Sequence, residues 1–155
     1  MRRLSVDHSG KVEDTSSDTI LAFHASDIQY SIRIPKDIKQ RIFNDCKKKF
    51  RKKIILRIFS HGLYLLLRKR VNRFTIIEID NEYPGHSRDI KAYLTIRLGL
   101  DKNQVYFTEI GKENGAHKIA YKTYSGKLKP NEIVTERILN LNSMFNKKTI
   151  QKLLK

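Results

Sequence analysis

The sequence predicts one mixed α/β domain, and three observations predict it. Apolar and polar residues alternate in several short runs, as half-buried strands require. Between them the apolar spacing changes to three and four, the stripe of an amphipathic helix. The segments follow one another as β β β α β α β α, an order in which strands joined through helices lie parallel in the centre of a sheet.

The first run is "LSVDHSG", where Leu4 and Val6 alternate around Ser5 and lead to Asp7, with a turn in "HSGK". "TILAFHA" (19–25) and "IQYSIRIP" (28–35) are rich in strand formers, are separated by Ser26 and Asp27, and end at Pro35, which reads as an antiparallel hairpin. From Lys36 the period becomes helical: Ile38, Ile42, Cys46 and Phe50 recur every four residues. Ile54, Ile58, Leu63, Leu66 and Leu67 continue the stripe, either as one bent helix or as two. "RFTIIEID" (73–80) returns to strand chemistry, and Pro84 and Gly85 break it. "SRDIKAYLTIRLG" holds Ile90, Tyr93, Leu94, Ile96 and Leu98 in a helical window that Gly99 can cap. "QVYFTEI" (104–110) is a fifth strand, and Ala116, Ile119, Ala120 and Tyr124 mark the face of a last helix. The expected division is a domain over residues 1–130 and a basic helical extension, 131–155, packed on it.

Composition restricts the function classes. At 155 residues and 39% hydrophobic content the chain can bury one ordinary core. No run approaches the roughly 18–20 apolar residues that cross a bilayer, and "MRRLSVDHSG" lacks the apolar core of a signal peptide, so a cytoplasmic protein with no membrane partner is expected. The single Cys46 excludes an internal disulfide and a CxxC zinc knuckle. It lies on an apolar stripe, and Ser60 and His61 have no third partner at a recognisable spacing, so neither a Cys nor a Ser nucleophile is indicated. "GKENG" lacks the Lys-Ser or Lys-Thr ending of a phosphate-binding loop.

The net charge of +16 is concentrated: residues 36–73 carry 14 Lys or Arg against 2 Asp or Glu. Its centre is "KKKFRKK", residues 47–53. A polyanion is the natural partner, because each neutralised phosphate releases counterions. Lys47, Lys48, Lys49, Arg51, Lys52 and Lys53, with Lys112 and Lys118, are the candidate contacts to a DNA or RNA backbone. A solvated helix surface is the plainer reading of the same run. A homodimer is left open.

Against this basic background, "IIEIDNEY" ends an apolar strand with Asp80 and Glu82. Functional groups gather at the carboxyl ends of parallel strands. If the strands ending in Asp7 and Asp80 are parallel neighbours, their carboxylates meet, and close carboxylates repel unless a hard divalent cation lies between them. Each residue also has a purely local role open to it: Asp7 and Asp80 as turn residues, Glu82 as a surface acid, His117 as a helix-lining residue, His61 as a core histidine.

"LSVDHSG" and "IIEIDNEY", in an element order matching from Leu4 to about Tyr124, resemble the ribonuclease H-like nuclease superfamily, and in size the small single-domain archaeal single-strand exonucleases. The resemblance implies a mixed five-stranded sheet flanked by helices. It also implies divalent-metal-dependent hydrolysis of phosphodiester bonds, with Mg²⁺ or Mn²⁺ as cofactor and single-stranded DNA as a candidate substrate. Asp7 and Asp80 would be the central metal ligands. The family also expects an acid from the first long helix, for which Asp37 and Asp45 are the candidates, with Asp45 nearer the apolar stripe. It expects another near the start of the last helix, where "NGAHKIAY" offers His117, with Glu113 before it; Glu82 could supply the missing carboxylate. The incomplete acid set leaves a second reading, a nucleic-acid-binding module that keeps the fold without catalysis.

Overall fold

Alternation in the first nine residues builds the middle of a sheet. In the computed structural model, which describes residues 2–73 and 75–135, strand β1 (Arg2–Ser9) turns Leu4 and Val6 into the core and Arg3, Ser5 and Asp7 to the other face. It pairs antiparallel with β2 (Thr19–His24), which pairs antiparallel with β3 (Gln29–Ile34). Its other edge takes β4 (Thr75–Asp80) in parallel, and β4 takes β5 (Val105–Thr108) in parallel. The expected parallel centre and antiparallel flank are both present.

Among the described residues the sheet has six strands, not five. β6 (Glu132–Ile133) adds in parallel to β3, giving the order β5-β4-β1-β2-β3-β6. Residues 131–135, expected to begin a helical extension, therefore belong to the sheet edge. Asn131 accepts a hydrogen bond from the Ser31 amide at 2.8 Å, and Val134 is buried. The rest of that extension, 136–155, lies outside the described residues.

The long apolar stripe is two helices. α1 (Lys36–Asn44) and α2 (Arg51–Leu67) are separated by a 3-10 turn at Lys48–Phe50, which breaks the phase between Ile42 and Ile54. The first turn of α2 is Arg51, Lys52 and Lys53, with no acid and no side-chain cap. Cations there oppose the helix dipole by about 0.3–1 kcal/mol each. Packing outweighs this: Ile54, Ile58, Phe59, Leu63, Leu66 and Leu67 are all buried against the face of the sheet that carries Leu4, Val6, Leu21 and Ile77, at roughly 1.5–3 kcal/mol per side chain.

α3 (Ser87–Leu98) packs on α2 through Ile90, Tyr93 and Leu94 and ends at Gly99, whose φ of 67° closes it with a left-handed cap. Ile96, expected on the buried face, is 77% exposed. α4 (Gly115–Tyr124) covers the opposite face, where Ile119 and Ala120 meet Ile20 and Ala22. Thr123 takes the inward position there, while Tyr124 is exposed. α4 lies over β1, β2 and part of β3. Beside it a groove is lined by Arg3, Ile76, Glu78, Tyr106, Thr108 and Asn114.

The β1–β2 loop is folded around a buried amine. Lys39 of α1 is fully buried, and its Nζ donates to Lys11 O (3.2 Å), Asp14 O (2.7 Å) and Thr19 Oγ1 (2.9 Å). Burial pulls its pKa down to about 8, against the opposing pull of Asp14, Asp18 and Glu13. Gly10 starts this loop at φ 80°, and a Cβ there would stand 2.2 Å from Asp18 O, so glycine is required.

Candidate metal centre and nucleic-acid interface

The register of the two parallel strands assembles the acids. Val6 is paired with Ile79 on the last rung of the β1–β4 ladder, so the next residue on each strand is Asp7 and Asp80. β1 itself runs two residues past Asp7, with His8 and Ser9 still paired to β2. Asp7 is thus held inside a strand rather than in a turn, and its side chain is only 5% exposed.

Each carboxylate is fixed by a backbone amide. Asp7 Oδ1 accepts from His8 N at 2.8 Å, and Asp80 Oδ1 accepts from Ile110 N at 3.1 Å. Asp7 Oδ2 is 2.9 Å from His117 Nδ1 in the first turn of α4. Two local features allow that reach. The Asn114 side chain caps α4 by accepting from Ala116 N, and Gly115 lets the helix approach β2, since a Cβ there would lie 2.6 Å from the His24 ring.

Burial raises the pKa of Asp7 above its ordinary value, and the neighbouring Asp80 carboxylate adds to this. The hydrogen bonds from His8 N and His117 and the charge of His8 pull the other way. One carboxylate oxygen from each of Asp7 and Asp80 and one ring nitrogen of His8 lie within 4.8 Å of one another. Such a group can hold a divalent ion, which would relieve the cost of burying Asp7 ionised beside a second carboxylate.

Sequence reading missed His8, taking it for part of a turn. It continues the inward alternation of Leu4 and Val6, and its side chain is 9% exposed. Glu82, two residues past β4, reaches the cluster through His8: its Oε2 is 3.6 Å from His8 Nε2. Asp7, Asp80, Glu82 and His117 therefore do come together.

Asp45 and Asp37 do not join them. Asp45 is the exposed C-cap of α1, because the helix ends one residue earlier, and Asp37 pairs on the surface with Arg41. Glu113 is also turned to solvent, 3.5 Å from Lys118 Nζ. α2 has no acidic residue in its sequence, and Phe59 stands where it approaches the cluster, edge-on to the His8 ring at 5.7 Å. Phe59 packs in turn on Tyr83, whose hydroxyl donates to Glu13 at 3.2 Å. His61, expected as a core histidine, is part-buried at the edge of the α2–α3 packing, with Nδ1 2.6 Å from Tyr93 Oη. Cys46 is half-buried against the core.

The basic residues flank the acids on two sides. Lys47, Lys48, Lys49, Lys52 and Lys53 are exposed at the start of α2 and the turn before it. Arg51 differs: its guanidinium lies on the Phe43 ring at 4.4 Å and donates to Glu13 O at 3.1 Å. Through Glu13, the start of α2 touches both the loop after β1 and, by Tyr83, the loop after β4. On the α4 side, Lys112 and Lys118 are exposed. Phe50, the aromatic within the basic run, is half-buried with Lys49 Nζ 5.0 Å from its centroid, and so is no free stacking platform.

No described helix is long and apolar enough to cross a membrane. No protein-family model matches the chain, and no curated protein or solved structure is similar enough to it to count as a match.

Proposed function

We propose that the chain is a divalent-metal-dependent nuclease of ribonuclease H-like architecture, hydrolysing phosphodiester bonds with single-stranded DNA as the leading substrate class. The observation that carries this reading is the meeting of Asp7 and Asp80 at the carboxyl end of two adjacent parallel strands. The antiparallel β1–β2–β3 flank and the helices on both faces agree with the resemblance in sequence. The partly buried carboxylates and a buried ring nitrogen without a hydrogen-bond partner suit a cation.

Asp7 and Asp80 would hold the ion, which when bound supplies Lewis acidity to the phosphoryl oxygen and to the attacking water. The other steps belong to the chain. His117, 36% exposed, orients the Asp7 carboxylate through Nδ1, and its ring can pass a proton between the attacking water and solvent. Lys47, Lys48, Lys49, Lys52 and Lys53 hold phosphates at the rim. Lys112 and Lys118 hold the strand on the other side.

The test is cleavage of single-stranded DNA in Mn²⁺ by the wild type and by Asp80→Asn. Loss of cleavage with binding retained supports the reading, and equal cleavage by the purified variant overturns it. One observation favours the second reading, a binding module without catalysis: the expected helix acid is absent, since α2 has none and Asp45 lies on the surface. That reading predicts salt-dependent binding and no metal-stimulated cleavage by the wild type.

A further inference from the structure

Among the described residues, His8 is a buried side chain whose Nδ1 has no hydrogen-bond partner. The nitrogen faces the two acids, 3.6 Å from Asp7 Oδ1 and 4.0 Å from Asp80 Oδ2. These distances are too long for hydrogen bonds. They are close to what an ion imposes, since two donors each about 2.1 Å from one metal sit roughly 3 to 4.2 Å apart. On its other side the ring presents Nε2 to Glu82 at 3.6 Å, and Phe59 walls it from the core.

We propose that His8 is a nitrogen ligand of the ion held by Asp7 and Asp80, and that it makes the centre select Mn²⁺ or Zn²⁺ over Mg²⁺. This rests on the reading above that the two acids hold a cation. Three features converge on it. His8 occupies the α2 side of the cluster, where the resemblance expects a carboxylate and α2 offers Phe59. Imidazole is a poor ligand for Mg²⁺ and a good one for first-row transition ions. Two carboxylates and a neutral imidazole also carry the charge that one divalent ion neutralises.

Glu82 then acts as a positioning residue rather than a ligand. With Nδ1 turned to the metal, Nε2–H faces the Glu82 carboxylate across 3.6 Å, and closing that gap to a hydrogen bond as the ion binds would fix the tautomer and orientation of the ligating ring. The competing arrangement is a protonated His8 that serves as the cation itself among three carboxylates.

The test is metal binding by the full chain stripped with EDTA, followed by calorimetry with MnCl₂, ZnCl₂ and MgCl₂ and by electron spin-echo spectroscopy of bound Mn²⁺. The expected result is one equivalent of Mn²⁺ or Zn²⁺ bound at least about tenfold more tightly than Mg²⁺, with a histidine nitrogen coupled to Mn²⁺. His8→Gln should abolish the coupling and weaken Mn²⁺ by about tenfold or more, with little change for Mg²⁺. His117→Gln should keep the coupling, and this arm needs no change at His8 if His8→Gln folds poorly. Absence of metal binding, a coupling lost in His117→Gln but kept in His8→Gln, or equal Mn²⁺ and Mg²⁺ affinities would each overturn the proposal. Mn²⁺ bound through His8 without cleavage would leave it standing and remove the nuclease reading. Cleavage equally well supported by Mg²⁺ in wild type and His8→Gln would remove the ligand and keep the nuclease.

Discussion

His117 Nδ1, on the first turn of α4, lies 2.9 Å from Asp7 Oδ2, in the central strand of the sheet. This hydrogen bond joins a helix on one face to an acid that is almost fully buried. It makes His117 the exposed end of a path from Asp7 to solvent. Replacing His117 with Ala should lower metal-dependent cleavage by about 10²-fold, the usual scale for losing a proton-transfer group. Single-strand binding should be unchanged, as read by single-turnover kinetics beside a binding titration.

The raised pKa of Asp7 gives a stability test independent of activity. The unfolded carboxyl ionises near 3.8 and the folded one at higher pH, so the wild type loses stability as pH rises through that interval. Asn at this position can still accept from His8 N and carries no charge. In EDTA, Asp7→Asn should therefore melt a few degrees above the wild type at neutral pH, and the gap should close as pH falls towards 4. A melting series from pH 4 to 8 reads both.

The basic residues should separate into two groups. Exchanging Lys48, Lys49, Lys52 and Lys53 for Gln should weaken single-strand binding and flatten its salt dependence, by roughly 0.7 of a log unit for each phosphate that is no longer neutralised. Stability should hold or rise slightly, because these side chains are exposed and the loss of Lys52 and Lys53 relieves their opposition to the dipole of α2. Arg51→Ala should instead lower the melting temperature, since Arg51 packs on Phe43 and supports Glu13. Binding at several salt concentrations and thermal melts distinguish the groups.

Tyr106 is half exposed on the β4–β5 side of the groove beside α4. A strand entering the cluster from that side would meet its ring. Tyr106→Ala should weaken single-strand binding by about 1–3 kcal/mol, the range for one stacked base, and leave duplex binding nearly unchanged.

Lys39→Met should destabilise the fold by about 2–4 kcal/mol, because it takes the amine from Asp14 O and Thr19 Oγ1, while Lys11 O keeps its bond from Asp14 N. The pH dependence has a definite sign. With a folded pKa of about 8 and an unfolded value near 10.5, the unfolded chain binds more protons in that interval. The wild type should therefore gain stability relative to Lys39→Met as pH rises from 8 to 10.5. Denaturant melts across that range check it.

What could be read from the chain follows the range of the signal. β1 to β5 and the helical windows are written in local alternation, and Asp80 stands where one such pattern stops. Asp45 was misplaced because the four-residue spacing continues through Cys46 to Phe50, while the helix stops at Asn44 and a 3-10 turn intervenes. β6 has two residues, too few for a period, and exists through pairing with a strand about a hundred positions earlier. His8 was legible in principle: extending the Leu4–Val6 alternation by one step turns it inward. The assumption that the strand ends at Asp7 hid it.

The buried Lys39 has a consequence for how the centre would be loaded. Its ammonium gathers two backbone carbonyls and a hydroxyl around a tethered positive charge, so the loop leaving β1 is organised by a cation that chelators cannot remove. The acids beside that loop do not have to wait for a metal to bring their surroundings into shape. Stripping the ion should leave a folded apo-protein, and its return should restore the centre without refolding.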